Sequence, residues 1–315
     1  MTKLAASGLI RPLLEPKLPA DLEVSWFMTH EEALEAVKGA EIGWFDMNEK
    51  EAMAAALHAA TDLKWLNSIY AGLDFLPMDV LIERGITVTN GVGINAITIA
   101  EYTVMGMLNI AKGYREVVRA QERREWLMDS PGKRELAGSK ALLLGYGAIG
   151  KLIKPRLEAF EVEVTVVRRS GGANEPGVLS PDEWRGKLAE FDWVILAVPS
   201  TPETENMIGA DELAAMRREC VLVNIARGEV VDQPALIDAL KGRKIEGAFL
   251  DVTTPEPLPE THELWTLDNA HISMHLSGRA QNMMFIRSAE RFLDNLQKYL
   301  RGEPVAPIFD PKLGY

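Results

Sequence analysis

The sequence predicts an α/β protein in two domains, one of them built on a doubly wound parallel sheet. Three observations point there: a length of 315 residues, six short apolar runs rich in β-branched residues from the middle of the chain onward, and a glycine-rich turn directly after the first of those runs. A chain of this length holds about two domains of ordinary size. An apolar fraction of 47% with 25% charged residues and a mean hydropathy of -0.04 suit a soluble globular chain and exclude a disordered one. No stretch of about 18 apolar residues occurs, so no bilayer-spanning helix is expected. Pro12, Pro16, Pro19 and Glu15 interrupt the region where a signal peptide needs an unbroken apolar core. A lone cysteine, Cys220, excludes an intrachain disulfide and agrees with a cytoplasmic, reducing location. The net charge of -12 argues against nucleic acid or an anionic membrane as partner, so any bound anion must be captured by a local cluster of positive groups.

In chain order, strands are expected at residues 3–6, 23–27, 41–46, 65–70 and 86–89, with helices at 29–37 and 50–60. Thr29, with Glu32 three positions on, has the pattern of a capping box. Helical spacing then runs over residues 95–124, read as one long helix bridging the domains, before a polar loop with Pro131 and Gly132. The apolar runs at 141–145, 162–167, 193–198, 220–225, 247–250 and 270–273 are the strands of the doubly wound sheet. An amphipathic helix over 279–300 is expected to return the chain to the first domain. No internal repeat is visible.

Gly145, Gly147 and Gly150, with Tyr146, Ala148 and Ile149 between them, form G-x-G-x-x-G between a strand and a helix. The first glycine permits the tight turn, the second lets a pyrophosphate approach the backbone, and the third allows close helix–strand packing, so the context points to a dinucleotide site. Where an NAD site places Asp or Glu at the end of the second strand, this chain has Arg168, Arg169 and Ser170. A guanidinium can bond a 2'-phosphate that a carboxylate would repel, which favours NADP(H) while leaving NAD(H) possible. The alternative is that the arginines only solvate a strand end.

Three segments beyond later strands carry Arg227, Glu256 and His275. At the carboxyl ends of a doubly wound sheet such residues can converge, an Arg to clamp a carboxylate and a Glu-paired His to exchange a proton near neutral pH. With SIYAGLD from Ser68, AEYTVMGML from Ala100, LAGSKALLLGYGAIG from Leu136 and NIARGEVVDQPALIDALKGRKIEGAFLDVTTPEPLP from Asn224, the sequence resembles the D-isomer-specific 2-hydroxyacid dehydrogenase family, which includes glyoxylate and hydroxypyruvate reductases.

The resemblance covers most of the chain. It implies two Rossmann-like or flavodoxin-like domains: a discontinuous substrate domain of residues 1–96 plus 284–315, and a dinucleotide-binding domain of residues 97–283. It also implies hydride transfer between NADP(H) and C2 of a 2-oxo or D-2-hydroxy acid in a homodimer. Arg227 matches the substrate-binding arginine, Glu256 the glutamate and His275 the proton donor. Val198, Pro199, Thr204, Ile225, Ala226, Asp251 and Gly278 match the cofactor's surroundings, which Arg227 and His275 also border. Tyr70, Ala71 and Gly72 match the loop whose backbone amides hold the substrate carboxylate.

Two residues depart from the family pattern, Met274 where a proline is common and His271 in place of an aliphatic strand residue. His271 reads best as a packed strand histidine, and Cys220 as a small buried hydrophobe. Trp44, Phe45, Tyr70 and Phe75 could wall a pocket for a side chain larger than glyoxylate's, and core packing explains them equally well. No ligand-spaced cluster suggests a metal. Formate oxidation is disfavoured, because formate dehydrogenases of this superfamily pair the histidine with glutamine rather than glutamate. A reading of another class is a cofactor-sensing binding protein on a dehydrogenase scaffold.

Overall fold

The computed structural model describes residues 2–46, 49–73, 75–169 and 175–311. The chain divides into two compact units, Met1–Asn95 with Gln281–Tyr315, and Ala96–Ala280.

The first unit is a five-stranded parallel sheet of β1 (Lys3–Ser7), β2 (Glu23–Phe27), β3 (Ile42–Trp44), β4 (Trp65–Asn67) and β5 (Thr87–Thr89), in the order β2-β1-β3-β4-β5. Successive side chains of a strand point to opposite faces, and here both faces are covered. Ala5, Leu66 and Val88 join one core with Ala33, Ala56 and Leu57 of the flanking helices. Leu4, Ala6, Ile42, Trp44 and Trp65 join the other, which the Met284–Leu300 helix completes with Ala289, Phe292 and Leu296. Phe292 lies between two indoles, 5.0 Å from Trp44 and 5.2 Å from Trp65. Helix His30–Ala36 begins with the expected capping box: Thr29 Oγ1 accepts from the Glu32 amide at 3.2 Å, and Glu32 Oε2 accepts from the Thr29 amide at 3.3 Å.

The second unit carries β6 (Lys140–Leu144), β7 (Glu163–Val167), β8 (Val178–Leu179), β9 (Trp193–Leu196), β10 (Val221–Asn224), β11 (Gly247–Leu250) and β12 (Ala270–Ile272) in the order β12-β11-β10-β9-β6-β7-β8, every pair parallel. The chain winds outward from β6 through β7 to β8, then returns beside β6 and winds the other way from β9 to β12. The two directions diverge between β6 and β9, the switch point where doubly wound sheets bind ligands. Alternate residues feed two cores: Leu142, Leu144, Val194, Leu196 and Leu222 on one face, and Ala141, Leu143, Trp193, Ile195 and Val223 on the other.

Among the differences from the sequence expectation, two lie in the second unit. β8 is a two-residue strand too short for its periodicity to register. The single helix expected over 95–124 is two helices, Ala96–Ala111 and Tyr114–Glu122. Gly113 between them has φ +60, and a Cβ there would lie 2.8 Å from the Gly132 amide nitrogen. The polar loop therefore packs against this break, where only glycine leaves room for it. Among the described residues no helix is long and apolar enough to cross a membrane.

Candidate active site

The glycine turn leaves the carboxyl end of β6 at the switch point. Gly145 has φ +101, and a Cβ on it would fall 2.4 Å from the carbonyl oxygen of Ala197, which follows β9. Gly150 opens the helix Gly150–Glu158, and a Cβ there would fall 2.3 Å from the Gly145 carbonyl oxygen, so neither position admits a side chain. A Cβ on Gly147, by contrast, would meet nothing within 4 Å. The first and third glycines are demanded by the protein's own backbone; the second faces open space, as expected for a backbone that must be approached by a pyrophosphate. Tyr146, Ala148 and Ile149 complete the turn. Val198 and Pro199 follow β9, where Thr204 Oγ1 donates to the Pro199 carbonyl at 2.7 Å and accepts from the Thr201 amide at 2.9 Å.

Arg168 and Arg169 follow β7. Ser170, the third residue read as a 2'-phosphate donor, lies outside the described residues. One arm of the Arg168 guanidinium donates to Glu175, a partner the sequence reading overlooked. Its Nε is buried without a partner among the described residues. A buried donor left unpaired costs about 1–3 kcal/mol, so this atom suits an acceptor brought by a ligand. The glycine cradle and this orphaned donor fit a dinucleotide.

Beyond β10, the Asn224 side chain shapes the next loop, its Oδ1 accepting from the Ala226 amide at 3.0 Å and its Nδ2 donating to the Arg227 carbonyl at 2.9 Å. Ile225 and Ala226 are buried, which leaves Arg227 as the half-buried polar residue of the turn. A Cβ on Gly228 would fall 2.3 Å from the Thr253 carbonyl oxygen, so this loop rests directly on the one after β11.

That second loop holds Glu256, whose Oε1 accepts from the Thr253 amide at 3.1 Å while Oε2 meets His275 Nδ1 at 2.7 Å. Burial works to raise the Glu256 carboxyl, but it is outweighed by the His275 hydrogen bond, the Thr253 amide and the charges of His275 and Arg227, which hold it below the usual carboxylate range. The carboxylate therefore accepts, Nδ1 carries the proton, and Nε2 is the ring nitrogen left to exchange one.

His275 sits on an unusual turn. Met274 and His275 both have left-handed backbones, φ +57 and +54. The proline common before this histidine cannot adopt such a φ, so Met274 is accompanied by a different approach of the backbone. The turn is tied down by Asp251, which is 2% exposed. Its carbonyl accepts from the His275 amide at 2.5 Å, and its carboxylate accepts from Ser273 Oγ at 2.7 Å, from the Ser277 amide at 3.2 Å and from Ser277 Oγ. Gly278 follows directly. His271 lies on β12, pushed down to about 4 by burial and by the neighbouring Arg115 and Arg119, so it is neutral at ordinary pH. Cys220 is buried, its thiol pushed up to about 12, as a small hydrophobe would be.

In the first unit, Tyr70, Ala71 and Gly72 lie on the loop after β4. The Gly91 amide donates to the Tyr70 carbonyl at 2.8 Å and Asn90 Nδ2 to the Ala71 carbonyl at 2.7 Å. Among the described residues the amides of Ala71 and Gly72 meet no acceptor. Tyr70 and Phe75 meet edge-on at 5.6 Å and are half-buried. Trp44 and Phe45, however, are 0% and 1% exposed in the two cores and wall no pocket; packing, the alternative reading, accounts for them. Sequence reasoning also missed Asp46 before this loop, 8% exposed and pushed up to about 6 by burial against the pull of Ser68, Ile69 and Trp44.

Comparison with known proteins gives the family. The family model described as D-isomer specific 2-hydroxyacid dehydrogenase, NAD binding domain, matches residues 104–277. A glycerate dehydrogenase of Methylorubrum extorquens is 31% identical over 296 residues, 90% of each chain. The human glyoxylate reductase/hydroxypyruvate reductase is 32% identical over 260 residues, 78% of this chain and 77% of the human one. A crystal structure of a D-isomer specific 2-hydroxyacid dehydrogenase family protein from Aeromonas salmonicida superposes with a TM-score of 0.86 at 27% identity, covering 98% of this chain and 99% of that one. With the glycine turn at the switch point and a sheet of this winding, the chain belongs to the D-isomer-specific 2-hydroxyacid dehydrogenase family, an NAD(P)-dependent oxidoreductase of 2-oxo and 2-hydroxy acids.

Proposed function

We propose that the protein is an NADP(H)-preferring reductase of 2-oxo acids in which Arg227 orients the substrate carboxylate, His275 exchanges the proton and Glu256 holds His275. The observation that carries this reading is the 2.7 Å Glu256–His275 pair, set in the unit that also bears the glycine cradle. A nicotinamide cofactor held at the Gly145–Gly150 turn would supply or accept the hydride at C2. In reduction, negative charge develops on the substrate oxygen, and the Nε2 proton of His275 moves to it. Arg227 and the imidazolium favour that charge more than they favour the neutral ketone, which is the condition for lowering the barrier. Oxidation needs neutral His275 as base and is expected to run better at higher pH than reduction. Two amides that meet no acceptor among the described residues, those of Ala71 and Gly72, support reading the first unit as the substrate domain and Ala96–Ala280 as the cofactor domain.

The NADP(H) preference is supported by the orphaned Arg168 Nε and by the absence of a carboxylate at 168 and 169. A charge-assisted hydrogen bond is worth about 1.5–3 kcal/mol, so Arg168→Asp is expected to shift the ratio of kcat/KM for NADPH over NADH by roughly ten- to a hundredfold toward NADH. A panel of 2-oxo acids from glyoxylate to arylpyruvates, assayed with both cofactors, tests the reading. An unchanged ratio in the variant would return Arg168 to solvating the strand end, and no turnover with any 2-oxo acid would leave a cofactor-sensing binding protein.

The homodimer is supported by apolar residues exposed in the second unit, Trp126 at 89% and Met128 at 92%, which a second copy would cover. Sedimentation equilibrium is expected to give twice the 34.9 kDa chain mass, with Trp126→Glu lowering it.

A further inference from the structure

We infer that Asp46 is the positioning residue of the loop at 68–72, holding the amides of Ala71 and Gly72 in place for the substrate carboxylate; this rests on the reading just proposed. Asp46 leaves β3 two residues after its end, beside the loop that leaves β4. Both of its oxygens are engaged. Oδ1 accepts from Ser68 Oγ at 2.6 Å, and Oδ2 accepts from the Ile69 amide at 2.6 Å and from Trp44 Nε1 at 2.5 Å. Ser68 Oγ in turn accepts from the Tyr70 amide at 3.1 Å, and the Ser68 amide donates to the Thr89 carbonyl at 2.9 Å.

The loop's donors are thus assigned one by one. Those of residues 68, 69 and 70 are consumed by Thr89, Asp46 and Ser68, and among the described residues the first two left over belong to Ala71 and Gly72. On the opposite side Gly91 and Asn90 hold the carbonyls of Tyr70 and Ala71. A Cβ on Gly91 would fall 1.8 Å from the Ile69 carbonyl oxygen, so the loop is gripped from both sides.

The chemistry of the side chain fits the task. An ionised carboxylate is acceptor-only with about four lone-pair sites, so a single Asp can take three converging donors that a hydroxyl could not satisfy. Its anchor is rigid: Trp44 is wedged against Phe292 in the core. Burial opposes the charge and pushes Asp46 up to about 6, and a buried acid without these three bonds would be a liability rather than a support.

Asp46→Ala removes both acceptor oxygens and all three hydrogen bonds. Asp46→Asn keeps an oxygen for the two N–H donors and turns its own N–H toward Ser68 Oγ. Steady-state kinetics with NADPH and the best 2-oxo acid of the panel is expected to show KM for the acid raised about 10- to 100-fold in Asp46→Ala. The NADPH dissociation constant, measured by nucleotide fluorescence, is expected to stay unchanged, and Asp46→Asn is expected to recover most of the loss. Ser68→Ala, which removes one link, is expected to raise the same KM to a smaller extent and gives the answer if the alanine variant at 46 does not fold. An unchanged KM in folded Asp46→Ala or Ser68→Ala, or a KM and a cofactor constant that rise together, would overturn the inference while the functional reading stood. A wild-type protein that turns over no 2-oxo acid would overturn both.

Discussion

Turnover is expected to fall by about two to four orders of magnitude in His275→Asn, the usual contribution of a positioned proton donor. Cofactor affinity should be nearly untouched. Asn fills a similar place and can bond Glu256, but it cannot deliver a proton from an atom equivalent to Nε2. Pre-steady-state measurement of NADPH oxidation separates the chemical step from product release and shows where the loss falls. Glu256→Gln is the companion: it keeps the shape, removes the charge that favours imidazolium, and should displace the pH at which reduction is fastest to lower values. Near-normal turnover in His275→Asn would remove His275 from the mechanism. His271 is a poor substitute, since burial and two arginines hold it neutral at ordinary pH.

The second large effect is expected at Arg227. Arg227→Gln loses the charge and the planar fork together, and two charge-assisted bonds of about 1.5–3 kcal/mol each predict a drop in kcat/KM of roughly two to four orders of magnitude. Arg227→Lys keeps the charge but offers a point donor in place of a fork, so it should fall between Gln and wild type. The measurement is kcat/KM for several 2-oxo acids of different side chain. The loss should be common to all of them, because they share the carboxylate. Wild-type kinetics in the Gln variant would make Arg227 a structural residue of its loop, where its Nη1 already donates to the Ala226 carbonyl at 2.8 Å.

Much of the candidate site was legible because its residues follow closely on apolar runs. Gly145 follows β6, Arg227 lies three residues beyond β10, and Asp251 and Glu256 follow β11. A parallel sheet buried on both faces writes its strands as continuous hydrophobic runs, and what comes after them stands at the carboxyl ends. The pairing of Glu256 with His275, nineteen positions apart, required the motif resemblance, since spacing alone does not join two loops.

Most of what stayed hidden has one cause. Strands expected over 41–46 and 65–70 stop at Trp44 and Asn67, because the carboxylate of Asp46 takes the Ile69 amide that a longer ladder would have used. Apolar Phe45 and Ile69 continue the alternation past the point where the backbone leaves the sheet, and periodicity has no means of registering a side chain that competes for a backbone donor. Ser68, Asn90, Asn224, Ser273 and Ser277 were missed for the same reason. They bond the backbone or another supporting side chain, and no substrate chemistry marks them. The break at Gly113 was hidden because its reason lies at Gly132, nineteen residues on.

The way the first unit is assembled also orders events in time. Its sheet is complete by residue 95, yet one of its two cores waits for Ala289, Phe292 and Leu296. During synthesis the whole of Ala96–Ala280 emerges in between, which at roughly 5–20 residues per second takes on the order of ten seconds or more. The continuous unit can collapse in that interval, whereas the interrupted one exposes Trp44 and Trp65 until the Met284–Leu300 helix arrives. The nascent sheet is therefore the aggregation-sensitive species, and the segment that protects it is made only after the whole of Ala96–Ala280.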